Sequence, residues 1–446
     1  MGRSYLVDDL VEKYLINLQT VDLPFVTGLL IGQIAVQKDY VVLAAQTPQR
    51  EKDSQGAVSN GSAAASSLDG IDIQWVSEHA KQVSQMLPGG LLVLGVFLIH
   101  PPELSKEAQN MLRRLLFAVE KHVSKGRLWK VTEEDVSERV MLQICSKTRK
   151  AICRTFDVLD PKSSAKPADW KYQSGVSGSW QALQCCVELD LEFPVSDTSS
   201  ANMDRCTKEG LQKWAKQIET SLCLINGKRL ADNFDVTAGL KKNAKANQPT
   251  LQAQILIPAT GLGAEQRSTA SVQACSGVLA LKGVVHCRAY VHTSKPRAWQ
   301  AVEAIKRDVM NTVSCRTEML FEDLRMNEGA VGSRQPLPLR VFASVPSTVI
   351  CVCDYMFPDE STADVSERFK EMLDCDIPED SIDTSQEAAI EKQPNINSEE
   401  CMDSVTPEVP VEATKRQKPL RPYIGAAVAA GVALLAAALS LLYLGD

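Results

Sequence analysis

The chain has 446 residues, enough for two or three domains, and 44% hydrophobic with 23% charged residues is typical of a globular protein with large cores. The net charge of −7 is uneven, because residues 359–412 hold 17 acidic and 3 basic residues while residues 1–358 are slightly basic. No segment has the basic, aromatic-rich pattern of a nucleic-acid groove, which argues against nucleic acid as a partner.

The first 155 residues predict one α/β domain. Apolar residues at helical spacing predict amphipathic helices, and an uninterrupted apolar run predicts a strand that is buried on both faces. A stretch rich in serine, alanine and glycine predicts a flexible loop. In chain order we expect a helix over 6–18, strands over 25–33 and 40–45, a loop over 49–70, a helix over 71–87, a buried strand over 91–99 and a helix over 106–123.

Residues 156–375 predict a second α/β domain by the same patterns. Pro296 opens its last predicted helix, since proline suits a first helical turn. We expect strands over 150–158 and 180–192 around a polar loop over 161–179, a helix over 203–225, a loop over 226–250, strands over 251–257 and 278–291, a helix from 296, and strands over 340–345 and 348–355.

The C-terminal part predicts a membrane-anchored tail. Residues 376–420 are acidic, polar and nearly free of aromatic residues, which predicts a disordered tether. Within 421–446, the 21 uncharged residues from Ile424 to Leu444 would span about 30 Å, the thickness of a bilayer core. The alternatives are a buried alanine-rich helix and a removable lipid-anchor signal, and the latter needs a secretory signal that MGRSYL does not resemble.

Basic residues precede this span, so the positive-inside rule places the N-terminal bulk of the chain in the cytosol. A span with only two residues after it is typical of a tail anchor, which inserts after synthesis. The flanking basic residues are Lys415, Arg416, Lys418 and Arg421.

The order of elements in the first domain resembles the MPN domain, whose active members are zinc isopeptidases that remove ubiquitin-like modifiers. The stretch 28–32 (GLLIG) matches the family's first motif, but Phe25 stands where the family has its general base, a glutamate. The second motif, Gly-x-x-His-Ser-His-Pro, aligns with residues 95–101, where Leu98 replaces the first histidine and only His100 remains.

Two further motif positions are also changed. Ala108 stands at the family's serine, and Met111 stands at the aspartate that is its third zinc ligand. A catalytic zinc needs three protein ligands, so the resemblance implies a degenerate domain with no metal, no cofactor and no enzymatic activity. We expect His100 to be a structural residue at a strand end; a contact at a partner interface and a remaining zinc ligand are the alternatives.

The whole chain resembles the odorant response abnormal protein 4 family. The resemblance is carried by MGRSYLVDDLVEKYL, by FVTGLLIGQ with KDYVVLAAQTP, by residues 289–324 and by VICVCDYMF before the predicted anchor. It implies a role in maturation and trafficking of a subset of G-protein-coupled receptors from the endoplasmic reticulum. It also implies, as a partner, a cysteine protease specific for the ubiquitin-fold modifier, held at the reticulum membrane.

Three hypotheses follow for the function. The first is a non-catalytic, tail-anchored adaptor in the endoplasmic reticulum membrane. The second is a membrane-protein chaperone that contacts receptor helices through its own span. The third is a residual metalloprotease, which would need stoichiometric zinc.

Overall fold

Three β-sheets and the helices packed on them make up the part of the chain that the structure describes. The structure is a computed structural model, and its described residues are 2–18, 25–35, 38–49, 68–129, 131, 135–197, 199–238, 249–257, 275–326 and 336–388. Their mixed content confirms an α+β fold class.

The described strands are β1 (Ser4–Asp8), β2 (Val26–Gln33), β3 (Lys38–Gln46), β4 (Leu92–His100), β5 (Glu138–Cys145), β6 (Ala151–Asp157), β7 (Lys166–Pro167), β8 (Asp169–Gln173), β9 (Trp180–Val195), β10 (Leu222–Ile225), β11 (Leu251–Leu256), β12 (Gly277–His292), β13 (Leu339–Ser344), β14 (Cys351–Met356) and β15 (Ile382–Asp383). The described α-helices are α1 (Asp9–Asn17), α2 (Ile73–Gln85), α3 (Ser105–Ser124), α4 (Ser200–Thr220), α5 (Ala298–Met326), α6 (Thr362–Leu373) and α7 (Ser385–Ala388).

The first sheet has eight strands in the order β7-β6-β5-β4-β2-β3-β1-β8, and β4 lies near its centre. Val96 and Leu98 of β4 belong to the core beneath α2 and α3, whereas Phe97 and Ile99 belong to the core beneath α1. Successive side chains of a strand point to opposite faces, so a strand covered on both sides must be apolar at every position. This explains the apolar run that predicted the strand.

The second sheet has the order β10-β11-β9-β12, in which β9 and β12 form a long antiparallel pair. Helices α4 and α5 pack against it, and β13, β14 and β15 form a third, three-stranded sheet. At Gly89 the backbone pairs with Arg288 and Tyr290 of β12. An added Cβ at Gly89 would lie 2.2 Å from the Ala304 carbonyl oxygen, so only glycine fits this approach.

Several predicted elements differ from the structure. Residues 4–8 form β1 rather than the start of a helix, because they pair with both β3 and β8. The loop predicted over 161–179 contains β7 and β8, and the helix predicted over 203–225 ends at Thr220, after which β10 pairs with β11. At β1 and β10 strand pairing overrides the local apolar period, and at β7 and β8 it orders a polar segment.

The folded part also extends beyond the predicted start of the tether at 376. Residues 382 and 383 pair with β13, Ile382 is 8% exposed, and Glu387 is 4% exposed. Residues 376–388 of the predicted tether are therefore part of the described fold, since burial and strand pairing hold Ile382 and hydrogen bonds hold Glu387.

The described residues between 2 and 388 belong to one compact unit, and the first sheet continues to residue 173. The division into domains at residue 155 stays a prediction. Within the described ranges no helix has the length and apolarity needed to cross a membrane. The predicted span from Ile424 to Leu444, its basic flank and most of the predicted tether lie outside the described residues.

Candidate functional site

The end of β4 carries the two motif positions Leu98 and His100 on the same side of the strand, since residues two apart share a face. Both are buried, at 0% and 1% exposure. Strand β5 runs parallel to β4, with Gln143 opposite Leu98, and α3 begins five residues after His100. The candidate site is therefore the corner between β4, β5 and the first turn of α3.

Hydrogen bonds engage both ring nitrogens of His100. Its Nδ1 lies 2.6 Å from the carbonyl oxygen of Pro101, which can only accept, so Nδ1 carries the proton. The Gln143 side-chain amide donates to His100 Nε2 at 2.9 Å and to the Ser105 carbonyl oxygen at 3.0 Å. Because the Ser105 carbonyl oxygen can only accept, the Gln143 atom that contacts it is the amide nitrogen. The same nitrogen donates to His100, so Nε2 is an acceptor. The two arguments give the same tautomer.

The other motif positions hold apolar side chains of one large hydrophobic core. Leu98, Ala108 and Met111 belong to one hydrophobic cluster, with exposures of 0%, 0% and 5%, and Phe25 packs against that cluster. The structure thus brings four of the five predicted positions into one core and places His100 at its polar edge.

The residues present do not fit a catalytic zinc. Such a site takes three protein ligands, and this corner offers one imidazole whose nitrogens are already hydrogen-bonded. No group of three or more histidine, cysteine or acidic side chains suited to a metal occurs among the described residues. The donor set at this corner therefore supports no chemical step through a metal.

A second polar cluster ties α5 to the third sheet through a fully buried ion pair. Arg340 and Asp308 are 1% and 0% exposed, and their two hydrogen bonds measure 2.7 and 2.9 Å. Burial tends to lower the pKa of Arg340, but the Asp308 carboxylate holds it well above its ordinary value. The pair keeps the Arg340 guanidinium charged within the core.

Glu387 of α7 extends this cluster. Its carboxylate accepts hydrogen bonds from the backbone N–H groups of His286 and Arg340, each at 2.9 Å, and from the Arg316 guanidinium at 2.6 Å. One buried side chain therefore joins the last described segment to β12, β13 and α5. We call Glu387 with these three contacts the C-terminal clasp.

The sequence analysis did not identify Gln143, which contacts His100, or Glu387, which extends the cluster around Arg340 and Asp308. Strand β5, which supplies Gln143, was not predicted, although the apolar run 140–144 interrupted by one glutamine carried the signal. Glu387 fell in the predicted tether, where acidic residues are common and one buried carboxylate has no distinguishing pattern. No local signal in the sequence could have identified it.

Comparisons with known proteins agree with the resemblance seen in the sequence. Residues 28–384 match the family described as Odorant response abnormal 4-like. The human "Protein odr-4 homolog" is 46% identical over 460 residues, and the mouse protein of that name is 45% identical over 452 residues; each alignment covers 100% of both chains. A solved structure, the crystal structure of UfSP from C. elegans, aligns with a TM-score of 0.41 and 9% identity over 83% of this chain and 56% of that chain.

The family match covers most of the chain, and the relatives match it over their full length. The family predicted from the sequence is thereby confirmed. This chain belongs to the Odorant response abnormal 4-like family.

Proposed function

We propose that the protein is a non-catalytic, tail-anchored adaptor of the endoplasmic reticulum membrane that supports maturation and trafficking of G-protein-coupled receptors. One observation carries the non-catalytic part: the zinc-ligand positions of the resembled domain are filled by the packed side chains of Leu98 and Met111, and His100 is fully hydrogen-bonded. In this proposal the domain binds protein partners through its outer surface and binds no catalytic metal.

We further propose that the adaptor anchors a cysteine protease specific for the ubiquitin-fold modifier. The support is the resemblance of the whole chain to a family associated with that protease, together with the 21-residue uncharged span at 424–444. In this proposal the folded body faces the cytosol and binds the protease, and the span holds both at the membrane.

The test is to exchange residues 424–444 for an unrelated tail anchor of similar length in cells that lack the native protein. The adaptor proposal expects restored receptor export and recovery of the protease with membranes. If the exchanged anchor keeps protease binding but abolishes receptor export, the span itself acts on receptors and the chaperone hypothesis replaces the adaptor. Stoichiometric zinc in the purified protein would contradict the non-catalytic part.

A further inference from the structure

The donors of the C-terminal clasp converge on both oxygens of one carboxylate. One oxygen of Glu387 accepts from the His286 backbone N–H at 2.9 Å and from the Arg316 guanidinium at 2.6 Å. The other oxygen accepts from the Arg340 backbone N–H at 2.9 Å. An ionised carboxylate only accepts hydrogen bonds, whereas a side-chain amide has one acceptor oxygen and one donor nitrogen. The three donors, which we call the carboxylate site, therefore select a carboxylate over its neutral isostere.

The donors of the carboxylate site are held by other parts of the fold. Strand β12, which carries His286, pairs with β9 along its whole length, and β13 pairs Arg340 with Tyr355 of β14. The Arg316 guanidinium donates to the Thr312 hydroxyl at 3.3 Å and lies 5.5 Å from the centroid of the Tyr355 ring. None of these contacts involves β15 or α7, so the site would keep its shape if its occupant left.

The segment that carries the occupant is held by few groups. Within residues 382–387 only Ile382 and Glu387 are buried. Strand β15 is two residues long and pairs with β13 at two positions, and α7 has four residues. A further contact, from Arg288 to Asp383, measures 3.4 Å, and the Asp383 side chain is 34% exposed. A short segment with so little buried apolar surface opens at a low free energy.

The helix before this segment is attached more firmly. Val365, Phe369 and Leu373 of α6 are each 0% exposed, and Ile377 after the helix is 2% exposed. Burial of apolar side chains is the main favourable term in folding, so this part stays docked under conditions that release a segment with one buried apolar residue. The chain after Ile377 can therefore leave the carboxylate site while α6 remains in place.

We propose that the carboxylate site is a peptide-binding site, occupied in this structure by the chain's own residues 382–388, which detach without unfolding the body. The occupant defines the ligand class: an acidic segment of a partner protein, with an apolar residue beside β13 and a glutamate five positions later. Detachment leaves buried donors without an acceptor, and such a segment would satisfy them. This goes beyond the adaptor proposal, because the site would remain if the protein held neither protease nor receptor.

The first test supplies the segment as a separate molecule. The recipient is the full chain in detergent with Ile382→Ser and Glu387→Ala, and the probe is a capped, fluorescein-labelled peptide of residues 379–388. By fluorescence anisotropy we expect the probe to bind the recipient at least tenfold more tightly than it binds the native chain. The attached segment of the native chain competes at an effective concentration in the millimolar range. Equal affinity for recipient and native chain would contradict the proposal.

Matched substitutions test the chemistry of the site. A probe with Glu387→Gln should bind the recipient at least tenfold more weakly, which is the scale of a charge-assisted hydrogen bond. Adding Arg316→Gln to the recipient should remove this difference between the two probes. Arg325→Gln, on the same helix and with a side chain 53% exposed, should keep it. Equal binding of the two probes to the recipient, or no binding of either, would overturn the proposal.

The second test needs no substitution and uses hydrogen exchange of the native full chain. We expect the backbone amides of residues 382–388 to exchange at least tenfold faster than those of β14, because the segment opens while the third sheet stays folded. Equal protection of the two stretches would show that the segment leaves only when the body unfolds, which refutes an exchangeable occupant.

Discussion

Asp308→Ala is expected to be the most destabilising single change among the ion pairs of the described residues. The substitution leaves the Arg340 guanidinium charged, 1% exposed and without the two hydrogen bonds of 2.7 and 2.9 Å. Arg340 Nε already lacks a hydrogen-bond partner among the described residues, and the Arg288 backbone N–H loses its acceptor at 2.9 Å as well. Removal of one partner of a buried pair costs about 3–5 kcal/mol.

The assay is urea unfolding of the full chain followed by tryptophan fluorescence, with the midpoint of the first transition compared between variants. Glu103→Ala is the matched control, because its pair with Lys147 is 65% and 67% exposed and such pairs contribute little. We expect a large downward shift for Asp308→Ala and no measurable shift for Glu103→Ala.

A double variant separates the loss of a charge from the loss of packing. Asp308→Leu with Arg340→Met removes both charges and should recover much of the stability that Asp308→Ala loses, since an apolar replacement of a buried pair is often neutral. Two results would refute the reasoning: an Asp308→Ala midpoint equal to that of the control, or a double variant as unstable as the single one.

Three further predictions concern the site, pH and the clasp. Gln143→Ala should lower the free energy of unfolding by about 1–3 kcal/mol, because His100 and the Ser105 carbonyl lose a buried donor; an unchanged urea midpoint would contradict this. Burial lowers the pKa of His79 to about 4 although Met372 accepts a hydrogen bond from it. As the pH falls, the unfolded chain therefore binds a proton at His79 before the folded chain does. The contribution of neutral His79 to the free energy of unfolding is present above pH 6.5 and falls by about 2–3 kcal/mol by pH 4.5. His79→Gln should therefore show a shallower decline in urea midpoints over that range. Glu387→Ala should release α7 by breaking its bond to Arg316, which limited proteolysis would report as faster cleavage near residue 388, whereas Glu379→Ala on the exposed surface should leave the rate unchanged.

Much of the fold follows from patterns that depend on burial alone. The apolar run of β4 and the helical period of α2 and α3 reflect residues that face a core on both sides or on one side, and each element occurs close to its predicted range. The changes at the resembled motif positions could also be seen without the structure, because they are changes of residue type at fixed positions in the sequence. Phe25, Leu98, Ala108 and Met111 were identified at the motif positions without the structure, and the loss of zinc chemistry that they imply stays a prediction.

The remaining features depend on residues far apart in the chain. Strand β1 has the apolar period of a helix and becomes a strand because β3 and β8 lie on either side of it. The tautomer of His100 depends on Gln143, 43 residues away, and Glu387 is buried by backbone groups 47 and 101 residues away. A sequence pattern reports the neighbours within a few turns of one element, whereas a hydrogen bond is decided by which elements meet.

The sequence by itself determined the family, the apolar residues at the resembled motif positions and the uncharged C-terminal span, since each is a property of side-chain identity at given spacings. Only the tertiary structure decided that both ring nitrogens of His100 are hydrogen-bonded, that Glu387 of the predicted tether is buried, and that Asp308 pairs with Arg340. These depend on distances between α3, α5, β5 and α7, and chain spacing does not encode such distances.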